Sequence, residues 1–280
     1  MSPTERGLAR ILVALDASAS GRAALAGAAA LAAELQAELL GLFVEDANLL
    51  RLASLPFSAR SAWGPAAEEA RNEETMARAL RAEAALLREL LAREAERLHL
   101  RWSFRVTRGT VARELVEAAE RVDLVVMGSA GRNPAVGGNL GSTARAVAQL
   151  SPSSVAFLRP GTVPGRPVAV LCDGSGAALR ALALAGRRAR EDGRNLVALV
   201  PSRPRGRAPG LTSEVETSLR TQGLQARVHE VPSESPGALA AEVRAAGGRL
   251  LVLPAGHPLC EATAFAALLE RVGCPVIIAR

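Results

Sequence analysis

One pattern, an apolar strand followed by an acidic turn and a helix, occurs twice in this 280-residue chain and constrains its fold most. The apolar run at 11–15 is followed by Asp16-Ala17-Ser18 and an alanine-rich helical segment. The run at 168–172 is followed by Asp173-Gly174-Ser175 and a second helical segment. Self-similarity within a chain indicates a duplicated structural unit. The sequence therefore predicts two tandem copies of one α/β unit.

Strands and helices alternate within each copy. Short apolar runs predict buried strands, and apolar residues at helical spacing predict helices. In the first half the predicted strands are 11–15, 38–44, 101–107, 124–127 and 154–158, and the predicted helices are 19–36, 72–98, one that opens at Thr110, and 142–150. In the second half the strands are 168–172, 196–200, 225–231, 250–253 and 275–279, and the first helix is 177–191.

This alternation predicts a parallel sheet with helices on both faces, because right-handed crossovers place helices on either side. A Pro/Gly-rich stretch at 159–167 reads as a linker. We therefore predict two doubly wound, Rossmann-like domains, 8–160 and 166–280. Each has a five-stranded parallel sheet.

Composition excludes several classes of protein. No apolar run approaches the roughly 20 residues of a membrane span, and the first ten residues contain no apolar signal-peptide core. We therefore expect a cytoplasmic protein without a membrane span. The net charge is only +6, and the 34 basic residues, all arginine, are dispersed among acids, so we expect no nucleic-acid partner. Three cysteines without ligand spacing are expected to be core residues.

The segment 127–143 combines glycines with a strand-to-helix junction. Gly128, Gly131, Gly141 and Ser142 are spaced as G-x2-G-x9-G-S between an apolar run and a helical pattern. Glycines at such a junction can take positive φ and let a ligand approach the backbone. The free N–H groups of a helix's first turn attract an anion. This segment predicts a phosphate site.

Asp16 is the second part of the predicted site. In an open parallel sheet, ligands bind beyond the carboxyl ends of the strands where the strand order reverses. Asp16 follows the first strand and Gly128 follows the fourth, so both face one crevice. A carboxylate there can accept hydrogen bonds from ribose hydroxyls. The alternative is that Asp16 only caps the following helix.

Together, residues 11–18, 109–128 and the G-x2-G-x9-G-S segment resemble the universal stress protein family across nearly all of 8–160. The resemblance implies an adenine nucleotide hydrolase-like fold that holds ATP, with or without Mg²⁺. By matching position it implies Asp16 at the ribose, Ala14, Leu15 and Val44 near the adenine, Gly128 near the ribose, Gly131, Gly141, Ser142 and Thr143 at the phosphates, and Arg132 as a basic residue beside them. Ala17 departs from the glycine that often precedes the serine.

The second half lacks the counterpart of this loop. Aligning 250–253 with 124–127 puts Pro254 opposite Gly128, and no G-x9-G-S follows. Proline has no N–H for a phosphate, so we expect one nucleotide per chain. The resemblance implies that the two domains pair as separate subunits do. A further homodimer and a protein partner remain open.

The leading hypothesis is a non-catalytic, ATP-binding stress or energy sensor. The chain contains no Walker motif, no lysine, no Gly-x-Ser-x-Gly elbow and no Cys/His pair. The alternatives are a slow ATPase or nucleotidyl-transfer enzyme, and an interaction protein with an empty pocket. For the long connection at 46–71 we favour packing over the sheet edge, with a lid or a docking surface as alternatives. The three histidines are not expected to bind metal or act as acid or base.

Overall fold

Apolar strands and intervening helices form a regular α/β arrangement in both halves of the chain. The computed structural model describes residues 10–53, 73–129, 140–189, 196–202 and 210–280. The first half contains β1 (Arg10–Ala14), α1 (Ala19–Leu35), β2 (Glu38–Asp46), α2 (Ala47–Ala53), α3 (Glu73–Arg97), β3 (Trp102–Gly109), α4 (Val111–Ala119), β4 (Leu124–Gly128), α5 (Ser142–Leu150) and β5 (Ser154–Leu158).

The second half repeats this order. It contains β6 (Val168–Leu171), α6 (Gly176–Ala189), β7 (Leu196–Pro201), α7 (Leu211–Thr221), β8 (Arg227–Val231), α8 (Pro236–Ala245), β9 (Leu250–Pro254), a 3-10 turn (Pro258–Cys260), α9 (Ala262–Val272) and β10 (Val276–Ala279). The predicted α/β alternation is confirmed in both halves.

All ten strands belong to one sheet, in the order β3-β2-β1-β4-β5-β10-β9-β6-β7-β8. Within each half the neighbouring strands run parallel. β1 lies between β2 and β4, where Val13 pairs with Gly41 on one side and with Val126 on the other. The strand order therefore reverses at β1 in the first half and, by the same topology, at β6 in the second.

β5 and β10 join the two halves. They pair antiparallel, with Ile277 opposite Ala156 and Val276 opposite Phe157. Both strands are buried along their whole length. Because each is the last strand of its half, the seam relates the two halves by an approximate two-fold rotation. Each would otherwise present an unpaired, apolar strand edge.

Helices cover both faces of the sheet. Helices α1, α3, α6 and α7 pack on one face, and α4, α5, α8 and α9 pack on the other. In α3 the buried residues are spaced by three or four positions, which places them on one side of the helix: Leu80, Ala84, Leu87, Leu91 and Ala95. Among the described helices, none combines the length and the apolar character needed to cross a membrane.

An ion cluster also connects the two halves. Glu34, in α1, accepts a hydrogen bond of 2.6 Å from Nη1 of Arg188, in α6, and one of 3.3 Å from Arg166. Arg188 is only 5% exposed, and burial lowers the pKa of its guanidinium below the usual value. The carboxylate of Glu34 therefore compensates a buried charge that belongs to the other half.

The start of the long connection forms α2. Its Leu50 is buried against the α1/α3 face, whereas Leu52 is 58% exposed. The burial of Leu50 agrees with the predicted packing role of this connection, and the exposure of Leu52 does not. The rest of the predicted connection, including Phe57 and Trp63, lies outside the described residues.

Candidate functional site

A cavity of about 440 Å³ opens at the carboxyl ends of β1, β2 and β4, on the side covered by α4 and α5. This is the place where the strand order reverses, which is where open parallel sheets bind ligands. Its volume lies within the usual range for small-molecule sites. The lining comprises Ala14, Leu15, Asp16, Gly21, Leu42, Val44, Asp46, Leu49, Val111, Leu115, Met127, Gly128, Gly141, Ser142, Thr143 and Ala144.

Asp16 forms a tight turn at the start of α1. Its Oδ1 accepts hydrogen bonds from the N–H of Ser18 at 3.0 Å and from the Ser18 hydroxyl at 2.5 Å. The Ser18 hydroxyl oxygen in turn accepts a bond from the N–H of Gly21, which caps the helix. Asp16 therefore supports the cap of α1, although the capping side chain itself is Ser18. Asp16 Oδ2 has no hydrogen-bond partner among the described residues and is free to serve a ligand.

The peptide of Ala17 is fixed from two sides. Its N–H donates to Glu83 Oε1, in α3, at 3.2 Å, and its carbonyl oxygen accepts from Arg22 at 2.9 Å. The corresponding turn in the second half uses Gly174 at a φ of 76°. Ala17 does not take a positive φ, so the first-half turn tolerates a side chain where the second uses glycine.

Packing against α1 requires glycine at position 128. A Cβ at this position would lie 2.6 Å from the Cβ of Ser20, in α1. The last residue of β4 and the first turn of α1 therefore touch through their backbones. Gly128 also lines the cavity. Because packing alone explains the glycine, its presence does not by itself indicate a ligand.

The N-terminus of α5 is the part of the cavity best suited to an anion. Its N-cap is Gly141, which supplies no side-chain hydrogen bond, whereas Ser18 caps α1 and Ser235 caps α8. Ser142, Thr143 and Ala144 line the cavity, and their N–H groups have no acceptor among the described residues. Such orphan donors and the helix dipole favour negative charge. Gly141 has a φ of −57° and a ψ of 152°, so it does not use the positive φ that glycine can take.

The other end of the cavity is largely apolar. Leu42, Val44 and Asp46 alternate along β2 and so share one face of the strand. Leu42 and Val44 are buried, and Leu49, Val111 and Leu115 complete this end. Asp46 lies at the rim, with its Oδ1 accepting a hydrogen bond of 2.9 Å from the N–H of Asn48.

Asp46 is a lining residue that was not predicted from the sequence. The predicted strand ended at 44, but β2 continues to 46, and the two-residue period from Val44 would have placed Asp46 at the site. Of the predicted residues, the cavity brings together Ala14, Leu15, Asp16, Val44, Gly128, Gly141, Ser142 and Thr143. Gly131 and Arg132 lie outside the described residues. The assignment of this set to a nucleotide stays a prediction.

The second half is built differently at the equivalent place. After Pro254 the chain enters the 3-10 turn and reaches α9 directly, with His257 and Leu259 buried. The N-cap of α9 is Glu261, where α5 has Gly141. A cavity of about 550 Å³ beside it is lined by Glu234, Glu261 and His257, among others. Two carboxylates at this place oppose phosphate binding.

The cysteines and histidines do not form a metal site in the described part of the chain. No group of three or more His, Cys, Asp or Glu side chains with metal-binding geometry is present among those residues. Burial raises the pKa of Cys172, Cys260 and Cys274 to about 12, so their thiols are protonated at neutral pH. His257 accepts a hydrogen bond from the N–H of Leu259 through Nδ1.

Comparisons with known proteins agree with this architecture. The sequence profile of the universal stress protein family matches residues 7–159. No curated protein sequence matches the chain. The fold is similar to that of a universal stress protein from Archaeoglobus fulgidus DSM 4304, with 18% identity, a TM-score of 0.73, and coverage of 97% of this chain and 96% of that one. A functionally unknown protein from Pseudomonas aeruginosa PAO1 has 16% identity, a TM-score of 0.55, and coverage of 97% and 92%.

Proposed function

Because the chain belongs to the universal stress protein family, we propose that its first half binds ATP and that the protein is a non-catalytic, nucleotide-dependent regulator in stress or energy sensing. One observation carries the proposal. The uncapped N-terminus of α5 and the carboxylate of Asp16 line the same cavity at the switch point of the sheet. Helix N-termini bind phosphate, and a carboxylate accepts hydrogen bonds from ribose hydroxyls.

The strand order supports one orientation of the proposed nucleotide. Neighbouring strands lie about 4.8 Å apart, so the ends of β2 and β4, which flank β1, are separated by roughly 10 Å. The apolar wall at β2 suits the base, Asp16 after β1 suits the ribose, and α5 after β4 suits the phosphates. We assign Ala14, Leu15 and Val44 to the adenine on this basis, and add Asp46 to that end of the site.

The phosphate end would use backbone and hydroxyl donors. The N–H groups of Ser142, Thr143 and Ala144 and the hydroxyls of Ser142 and Thr143 are available there. From the sequence we add Gly131 and Arg132 to this end. Mg²⁺, where present, would be held mainly by the phosphates themselves, since it usually keeps several waters and needs only one or two carboxylates.

The character of the lining favours binding over catalysis. Its described ionisable side chains are those of Asp16 and Asp46, and the chain has no lysine to neutralise a γ-phosphate. Oδ1 of Asp16 is already engaged with Ser18, and no histidine or cysteine lies among the described lining residues to activate a nucleophile. The rival proposals are a slow ATPase or nucleotidyl-transfer enzyme, and a nucleotide-free interaction protein.

We further propose that the chain consists of two units, 8–160 and 166–280, and that the second serves as a built-in partner of the first. The antiparallel seam between β5 and β10 supports this proposal, since it covers a strand edge of each half. Glu261 and Pro254 support a single nucleotide site per chain. Further homodimerisation, an unidentified protein partner and a cytoplasmic location belong to the same proposal.

The most direct test is to denature the purified full chain and identify released small molecules by mass spectrometry. The nucleotide-free protein is then titrated with ATP by calorimetry, with and without Mg²⁺. The proposal expects saturable binding of one ATP per chain and no ATP turnover above the background of a Gly141→Val variant. Absence of binding would leave the interaction protein as the better account. Turnover that Asp16→Ala abolishes would favour the enzyme.

A further inference from the structure

Two arginines occupy equivalent positions on either side of the seam. Arg159 follows β5, and Arg280 follows β10. Arg159 Nη1 donates to the carbonyl oxygens of Leu269 at 2.7 Å and Glu270 at 3.2 Å, near the end of α9. Arg280 donates to the carbonyl oxygen of Ala148, near the end of α5, through Nη2 at 2.5 Å. Each arginine therefore caps the C-terminal end of a helix that belongs to the other half.

The two helices differ in how much they depend on this cap. α9 ends at Gly273, which takes the left-handed conformation typical of a helix C-terminus, and its last turns also receive hydrogen bonds from Arg271 and Arg244. α5 has no such glycine.

The sequence after α5 explains its dependence. The residue four positions after Ala148 is Pro152, which has no N–H to donate to the Ala148 carbonyl oxygen. Arg280 fills this vacancy. Its Nη1 also donates to the carbonyl oxygen of Ser153 at 3.4 Å, and its backbone N–H donates to the hydroxyl of Ser154 at 3.1 Å.

α5 is also the helix whose N-terminus lines the cavity. It has only nine residues, and helices of this length have little stability of their own in water. Ala148 lies about 9 Å along the helix axis from Ser142. A cation at the C-terminus complements the helix dipole at the end opposite the cavity. Burial lowers the pKa of the Arg280 guanidinium, but an arginine in a protein keeps its charge.

We propose that Arg280 is a positioning residue of the nucleotide site: it holds α5 from the second half of the chain and so sets the placement of the N–H groups that receive the phosphates. This inference rests on the proposed function. It gives the second half a part in ligand binding that requires no contact with the ligand. It also makes Arg159 a matched control, because Arg159 makes the equivalent contact to α9, and α9 does not line the proposed nucleotide cavity.

The test compares Arg280→Gln with Arg159→Gln in the full chain. Calorimetry measures the Kd for ATP, thermal denaturation measures stability, and hydrogen exchange measures protection of the α5 amides without nucleotide. We expect Arg280→Gln to weaken ATP binding by about 3- to 10-fold and to speed exchange in α5. Arg159→Gln should change the Kd by less than about 2-fold, although both variants lose a contact across the seam. Arg280→Lys, which keeps the charge, should restore part of the affinity and serves if the glutamine variant does not fold.

Three outcomes would overturn the inference. Equal weakening of ATP binding by both glutamine variants would show that Arg280 acts only as a contact across the seam. An unchanged Kd in Arg280→Gln would show that Arg280 does not position the nucleotide site. In both cases the wild type still binds ATP, so the proposed function stands. Failure of the wild type to bind ATP would overturn the proposed function together with this inference.

Discussion

The backbone of Gly21 lies directly against Asp16: a Cβ added at Gly21 would come within 2.2 Å of Asp16 Oδ1 and 2.4 Å of its carbonyl oxygen. The N–H of Gly21 also donates the helix-capping hydrogen bond to the hydroxyl of Ser18. The first turn of α1 therefore fixes the carboxylate by contact as well as by hydrogen bonding.

Gly21→Ala should displace Asp16 and weaken ATP binding by about 10-fold or more, since the added methyl group cannot coexist with the present position of the carboxylate. We expect a loss of about 1–3 kcal/mol in the free energy of unfolding, as for other overpacked sites. Calorimetry and urea denaturation check these values. Gly176→Ala is the control, because nothing lies within 4 Å of a Cβ there. Equal effects of the two changes would contradict the contact argument.

Gly141→Val should abolish measurable ATP binding with little change in stability. The backbone of Gly141 has φ −57° and ψ 152°, which residues other than glycine adopt without strain. Because Gly141 lines the cavity, we expect the added side chain to occupy space beside the N–H groups of α5. Circular dichroism and thermal denaturation verify the fold while calorimetry measures binding. An unchanged Kd would refute the phosphate assignment.

Asp46→Asn should reduce selectivity for the base. A carboxylate at the base end of the cavity accepts a hydrogen bond from an exocyclic amine and repels a carbonyl oxygen, so the wild type should prefer ATP to ITP by about 10-fold. An amide can donate to the carbonyl, which should narrow the ratio. Glu117→Gln, which neutralises an exposed carboxylate paired with Arg113 on α4, should leave it unchanged. Equal wild-type affinities for ATP and ITP would contradict a role of Asp46 in selecting the base.

Glu34→Gln should lower the free energy of unfolding by about 2–3 kcal/mol, because it leaves the buried charge of Arg188 without its carboxylate. Urea denaturation measures the loss. The comparison is Glu94→Gln, whose partner Arg97 is 62% exposed and whose pair should contribute less than about 1 kcal/mol. Similar losses in both variants would show that burial does not strengthen the cross-half pair.

The three thiols should react slowly in the native state. With a pKa of about 12, roughly one thiol in 10,000 is ionised at pH 8, and this fraction rises with pH as it approaches the pKa. Iodoacetamide should therefore label the native protein at a rate that increases about 10-fold per pH unit, and much faster after unfolding. Mass spectrometry counts the labels. Fast native labelling of Cys172 or Cys274 at pH 7 would contradict their buried positions.

The alternation of apolar runs and helical patterns was sufficient to predict the parallel sheet, because both signals are local in the sequence. Asp16 was found for the same reason, since it directly follows a strand and recurs as Asp173. Asp46 was missed because the residues that follow Val44 are charged. In a sequence, charged residues at the end of a strand cannot be told from the start of a loop. Glu83 and Arg280 could not be found from spacing at all. Each acts on a backbone group more than 60 positions away, and only the packing of α3 and the β5–β10 seam brings them there.

The seam between β5 and β10 resembles the contact of a two-fold dimer, yet the halves on its two sides carry different N-cap residues, Gly141 at α5 and Glu261 at α9. In a dimer of identical subunits, a change such as Gly141 to glutamate would remove both sites at once. Fusion in one chain lets the two copies diverge, as their N-cap residues Gly141 and Glu261 do. One nucleotide site per chain, as proposed above, leaves no second equivalent site to couple to. On that proposal the response of a single chain to nucleotide concentration should be graded, with a Hill coefficient near one, and any sharper threshold would come from assembly beyond a single chain.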